Sequence, residues 1–166
     1  MILNTVVLWV HIFGVVGWMG AGMIFAVVIG PSVAKMSPQA RTEFFAKVVP
    51  TYLRYIEIFS IITVLAGIAM VAVLANGDFS ILSPSTHFGL FISAGALLAL
   101  VTIGLALSVV VPTAKKISVI SQSMMEKPGP PPAELPGLAK KLKQSSTIAL
   151  ALLIVVTILM VAAATY

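Results

Sequence analysis

The sequence predicts an all-α integral membrane protein, a four-helix bundle read as two repeated helical hairpins. Three observations predict it. First, 60% of the 166 residues are hydrophobic and only 9% are charged, with a mean hydropathy of +1.13, well outside the range in which a water-soluble domain keeps its surface hydrated. Second, four runs are long enough to cross roughly 30 Å of hydrocarbon at 1.5 Å per residue, at about Leu3–Gly30, Ile56–Ala75, Phe88–Val111 and Ile148–Ala164. Uninterrupted runs of this length read as helices, because barrel strands are shorter and alternate. Third, the end of the first run, Pro31-Ser32-Val33-Ala34-Lys35-Met36-Ser37, resembles the end of the third, Pro112-Thr113-Ala114-Lys115-Lys116-Ile117-Ser118. A parallel pair of hairpins gives such a pattern, and so does helix-end chemistry alone, since proline after an apolar run and lysine at an interface are each common.

The first run is too long for a cleavable signal core, and Met1-Ile2-Leu3-Asn4 carries no basic residue ahead of it, so it is read as a retained span. Ser37-Pro38 has the form of a helix start, a cap followed by a first-turn proline, and Ala40–Val49 is expected to form a short interfacial helix bearing Phe44 and Phe45. Lys127-Pro128-Gly129-Pro130-Pro131-Pro132 is a stiff polyproline-like spacer. Leu138–Leu142 leads into the fourth span, with Lys140, Lys141 and Lys143 as interfacial anchors.

All ten basic residues fall in the connections between runs one and two and between runs three and four, whereas the opposite side carries only Asp78 and the termini. The positive-inside bias then puts both basic loops in the cytoplasm and both termini outside a cell membrane. The net charge of +5 is a topology signal, with the lipid bilayer as partner; no basic patch interleaved with aromatics supports nucleic-acid binding. The chain has no cysteine, which removes disulfides, thiolate metal sites and covalent haem attachment. No hydrolytic triad, phosphate loop or pair of catalytic carboxylates is present.

Residues 8 to 22, LWVHIFGVVGWMGAG, place His11 in the first span. At 100° per residue its face also carries Gly14, Val15, Trp18, Gly22 and Phe25. An imidazole with a missing side chain one turn below it offers a clearing for a flat macrocycle, with Trp18 and Phe25 against it; Gly17 and Gly20 point elsewhere and read as sites of close helix approach. An ionisable residue within a span is a functional candidate, and the competing reading is a histidine bonded to a neighbouring helix. The second histidine, His87, opens the third span from the same side, so His11 and His87 are a candidate pair of axial ligands to haem iron. Counted from Pro31 and Pro112, they differ in height by about 7 Å; otherwise the second position is vacant or taken by a methionine. Met19 and Met23 raise copper as the alternative, since thioethers and imidazole suit Cu(I). Arg54 and Glu57 are spaced to pair on one helix face, and Arg54 is a candidate for a propionate or quinone headgroup; Tyr52 and Tyr55 fit an interfacial aromatic belt.

The order Trp9-Val10-His11-Ile12, then Gly14, Trp18, Gly20 and Gly22, ending at Pro31, resembles the first helix of copper-resistance protein D-like membrane proteins and of the haem-dependent, four-helix membrane protoporphyrinogen oxidases. The resemblance covers the first 35 residues and the four-span plan, and it implies haem b on His11. The oxidase pattern has a lysine in the third helix and a proline-arginine step at the end of the first. Phe88–Val111 has no lysine, and Ser32 follows Pro31; these departures weaken protoporphyrinogen oxidation specifically. The expectations are therefore a haem-b protein for electron transfer or one-electron redox chemistry, a membrane oxidoreductase if it is an enzyme, with quinone or other redox subunits as partners. The alternatives are a copper-handling protein using His11, Met19 and Met23, or a cofactor-free structural or assembly subunit.

Overall fold

The computed structural model describes residues 2–127 and 129–165; Pro128, in the polyproline-like spacer, lies outside the described residues. The chain forms α1 (Ile2–Ala34), α2 (Pro38–Lys47), α3 (Val49–Ala75), α4 (His87–Glu126) and α5 (Leu135–Ala163). Four of these, all but α2, are long and apolar enough to cross a membrane. Antiparallel α1 and α3 pack along their length, as do α4 and α5; the spanning helices of one hairpin touch those of the other more sparsely, and α2 packs on α4 across the basic end. Two hairpins side by side are thus the architecture.

Three helices run past the apolar runs at the basic end: α3 begins at Val49 rather than Ile56, α4 continues to Glu126, and α5 begins at Leu135. Hydropathy marks where lipid must be faced, not where a helix stops. These extensions bury a cluster of their own, Val49, Leu53, Val111, Ala114, Ile117 and Leu142, with Phe44 and Phe45 of α2 packed against it. The two phenylalanines therefore face protein, where the sequence reading gave them to the interface. Ser37 caps α2 by accepting the Ala40 N–H at 3.3 Å, and the Arg41 guanidinium donates to the carbonyls of Ala34 and Met36 at 2.9 and 3.3 Å, occupying orphan acceptors at the end of α1. Gln122 donates to the Ala46 carbonyl at 3.2 Å and ties α2 to α4.

The repeat is deeper than its sequence match. Phe25–Ile29 in α1 and Ala106–Val110 in α4 are each a five-residue π-helical turn, and each ends two residues before its proline, Pro31 or Pro112. Proline has no N–H and its ring collides with the carbonyl four residues back, so the chain takes a wider turn there. The Gly30 N–H reaches back to the Phe25 carbonyl and the Val111 N–H to the Ala106 carbonyl. The two prolines are 81 residues apart (112 minus 31), and the same interval carries Gly14 onto Gly95. Both are buried, and both face the partner helix of their own hairpin: Thr63 lies against Gly14, and Met160 and Leu159 against Gly95. The copies part at Pro38, whose counterpart is Val119: Ser37 is held extended (ψ 155°) ahead of the proline, so α1 breaks where α4 continues.

At the other end of the bundle α3 stops at Asn76 in the left-handed region (φ 44°), followed by Gly77 at φ 90°. The Asp78 carboxylate then accepts the Ser80 N–H at 2.9 Å. That bond holds its pKa below the ordinary carboxylate value, so the cap is in place at neutral pH and is lost as pH falls through the lowered value.

Candidate functional site

His11 is half-buried in α1, and its Nδ1 lies 2.9 Å from the Thr63 carbonyl oxygen of α3. A carbonyl only accepts, so Nδ1 carries the proton and Nε2 is left with the lone pair. This is the orientation in which a backbone carbonyl fixes the tautomer of a metal-binding imidazole. The ring has room because Gly67 stands one turn beyond Thr63. A Cβ at position 67 would come 3.0 Å from His11 Cε1 and 3.3 Å from Nδ1. Gly67 was not singled out in the sequence, where it is one glycine in an apolar run; its signal is visible only after the antiparallel register of α1 and α3 sets it opposite His11. We expect Gly67→Ala to displace the ring from Thr63 while leaving the hairpin folded, read as loss of the hydrogen-bonded Nδ1–H resonance in NMR spectra.

The clearing expected beside His11 is filled. A Cβ on Gly14 would meet Thr63 Oγ1 at 2.5 Å and Thr63 Cα at 3.0 Å, and one on Gly17 would enter the Phe59 ring at 2.1 to 2.7 Å. Gly14 is therefore a point of helix contact like Gly17, because the face that a single-helix projection leaves empty is the face α3 occupies. Gly20, expected to allow close approach, has nothing within 4 Å of its would-be Cβ. Trp18 is buried, and Gly22 faces Leu150 of α5 at an ordinary 3.7 Å. Phe25 stacks on Tyr52 with centroids 4.8 Å apart, and the Tyr52 hydroxyl donates to the Ala21 carbonyl at 3.1 Å, which takes both rings into hairpin packing rather than to a cofactor or the interfacial belt.

His87 is exposed at the first turn of α4, with its ring 6.4 Å from that of Phe91. The repeat carries His11 onto Ile92, not His87. Because both hairpins contain the same π turn, no slip in helical register absorbs the difference, and His87 remains five residues, about 7 Å, nearer the helix end. Helices α1 and α4 are not a packed pair of the bundle. Arg54 is exposed toward the basic end. Glu57, expected beside it, instead pairs with Lys115 of α4 at 2.6 Å: a spacing of three permits a pair, but the cation on the neighbouring helix takes the carboxylate.

The donor atom thus fits haem iron, but the cradle assigned to a macrocycle does not: Gly14 is closed by Thr63, Phe25 is engaged by Tyr52, and the second histidine sits at a different height. Among the described residues no three His, Asp or Glu side chains come together, so a hard, carboxylate-held ion has no site there either. The open space between α1 and α3 lies toward the helix ends away from the basic loops, and His11 is not among the residues that line it. There α1 and α3 line a cavity of about 250 Å³ with Asn4, Leu8, Met70 and Leu74 among its walls. That is below the usual range of organic cofactor pockets, roughly 300–1,000 Å³. Of the methionines named for copper, Met19 accepts a hydrogen bond from Thr157 of α5 at 3.3 Å through its sulfur, and Met23 is exposed.

The fold and site define a multi-pass helical membrane protein with one oriented imidazole between the helices of its first hairpin. No protein-family model, curated protein or solved structure matches the chain.

Proposed function

We propose that this chain is a membrane-embedded copper protein in which His11 ligates a single Cu(I) ion, for copper handling or one-electron redox chemistry within the bilayer. The observation that carries the reading is the imidazole itself: its Nδ1–H is committed to the Thr63 carbonyl, which leaves a neutral nitrogen ligand of the kind soft and borderline metals take. The closed contacts at Gly14 and Gly17 favour a bare ion over a macrocycle. The likeness of the first span to copper-resistance protein D-like proteins accords with it. By the charge bias, the basic loops face the cytoplasm and His11 lies in the outer half of the membrane.

Purified protein from cells supplied with both copper and haem precursor tests the reading. About one copper per chain and a visible spectrum free of a Soret band are expected. A stoichiometric Soret band lost in His11→Ala would replace copper with haem b, and neither metal nor pigment would leave the cofactor-free subunit.

A further inference from the structure

We infer that the lipid-facing side of α3 below Arg54 binds one anionic phospholipid, its phosphate held by Arg54 beside the Glu57–Lys115 pair and an acyl chain laid along Ile58, Ile61 and Leu65.

Arg54 stands two residues ahead of the apolar run that begins at Ile56, where α3 enters the bilayer on the side of the basic loops. A long helical side chain leans toward its own N-terminus. The N-terminus of α3 is at the basic end, so the guanidinium reaches to the level of lipid phosphates rather than into hydrocarbon. Arg54 is exposed and has no hydrogen bond or ion pair among the described residues, whereas Arg41 is engaged by carbonyls and Lys47, Lys115 and Lys116 by carboxylates. Glu57, one turn along the same side of α3, already holds Lys115 of α4. Arg54, Glu57 and Lys115 together carry a surplus of one positive charge, which matches the single negative charge of a phosphodiester. A guanidinium presents paired donors to such a group.

The apolar half of the site is on the same helix. Ile58, Ile61 and Leu65 follow Arg54 at intervals of four, three and four residues, so they share its face, and they are 49%, 43% and 61% exposed. Leu65 lies eleven residues, about 16 Å, below Arg54, the depth of one leaflet of a hydrocarbon core about 30 Å thick. Lys140 of α5 is also exposed, but Gln144 and Thr147 follow it on its face, so it offers charge without an apolar track. A phosphate at Arg54 adds to the ion pair that joins α3 to α4, so bound lipid stabilises the junction of the two hairpins.

Native mass spectrometry of the detergent-solubilised chain, titrated with phosphatidylglycerol or phosphatidylcholine of equal chain length, tests the site, and thermal unfolding of the same samples reads its effect on the bundle. We expect one phosphatidylglycerol per chain, retained in preference to phosphatidylcholine, and a melting midpoint raised by the anionic lipid. Arg54→Gln should bind it about five-fold more weakly, the weight of one cation at an anionic surface, and Lys140→Gln as the wild type does. Arg54 has no partner to lose, so Arg54→Gln is expected to fold, and Arg54→Lys, which keeps the charge, should recover part of the affinity. Equal losses in Arg54→Gln and Lys140→Gln, or a loss in neither, would reduce the lipid to an unselective annulus and overturn the site. A midpoint raised as far by inorganic phosphate as by lipid would overturn the apolar track, and a lipid-free dimer held by the same face would put a second copy of the chain in place of the lipid.

Discussion

Gly14→Ala is expected to be a severely damaging single-methyl change at the contact between α1 and α3, costing about 3 kcal/mol, the upper end of what overpacking does in a close-packed interior. The added carbon would lie 3.0 Å from the Thr63 backbone as well as 2.5 Å from its hydroxyl. The Thr63 hydroxyl is held by the Phe59 carbonyl at 2.6 Å and the Thr63 backbone leaves no slack behind it, so α1 and α3 are expected to shift apart and weaken the His11 bond to Thr63. Two controls isolate the cause. Gly95→Ala, at the equivalent place in the second hairpin, meets the terminal methyl of Met160 at 2.9 Å, a flexible end that can move, and is expected to cost about 1 kcal/mol or less. Gly20→Ala enters open space and is expected to be neutral or stabilising by up to about 1 kcal/mol, through the better helix propensity of alanine. Thermal unfolding in detergent should therefore rank the variants Gly20→Ala, Gly95→Ala, Gly14→Ala from most to least stable. Equal midpoints for Gly14→Ala and Gly95→Ala would mean that the first hairpin is not closed at Thr63.

His11→Ala is expected to abolish Cu(I) binding, a loss on the order of 100-fold or more, because removal of an outer-shell partner alone typically costs 10- to 100-fold and this is the ligand itself. The fold should survive. The imidazole is only half-buried, and the Thr63 carbonyl it leaves lies within a continuous helix, Val49–Ala75, where the residue four places on supplies a backbone donor. His87→Ala should bind copper as the wild type does. Competition titration measures both, and circular dichroism checks that the helices remain.

The four spans, their pairing in hairpins and the α2 cap were legible in the sequence because each depends on local chemistry: apolar length, a proline, a serine ahead of it. The repeat was legible at Pro31 and Pro112, yet its main consequence was not, because the proline interval pairs Gly14 with Gly95 while only the fold shows that each faces the partner helix of its own hairpin. The roles of the glycines were misassigned for one physical reason. A helical projection shows which positions share a face, whereas only the partner helix shows whether that face is open. Gly14 looked open and is closed by Thr63; Gly20 looked closed and is open. Arg54 and Glu57 repeat the lesson for charge, since the nearest cation in space, Lys115, belongs to another helix. His11 was found from sequence because an imidazole in an apolar run is conspicuous. Thr63 and Gly67, which orient it, were not, because neither residue type is unusual in a membrane helix.

With only two histidines in the chain, nitrogen-15 NMR of labelled imidazoles addresses the central claim most directly. Metal-free protein should show His11 protonated at Nδ1, and addition of Cu(I) should move its Nε2 resonance while that of His87 stays in place. An Nε2–H tautomer at His11, or His11 resonances indifferent to stoichiometric Cu(I), would contradict the account.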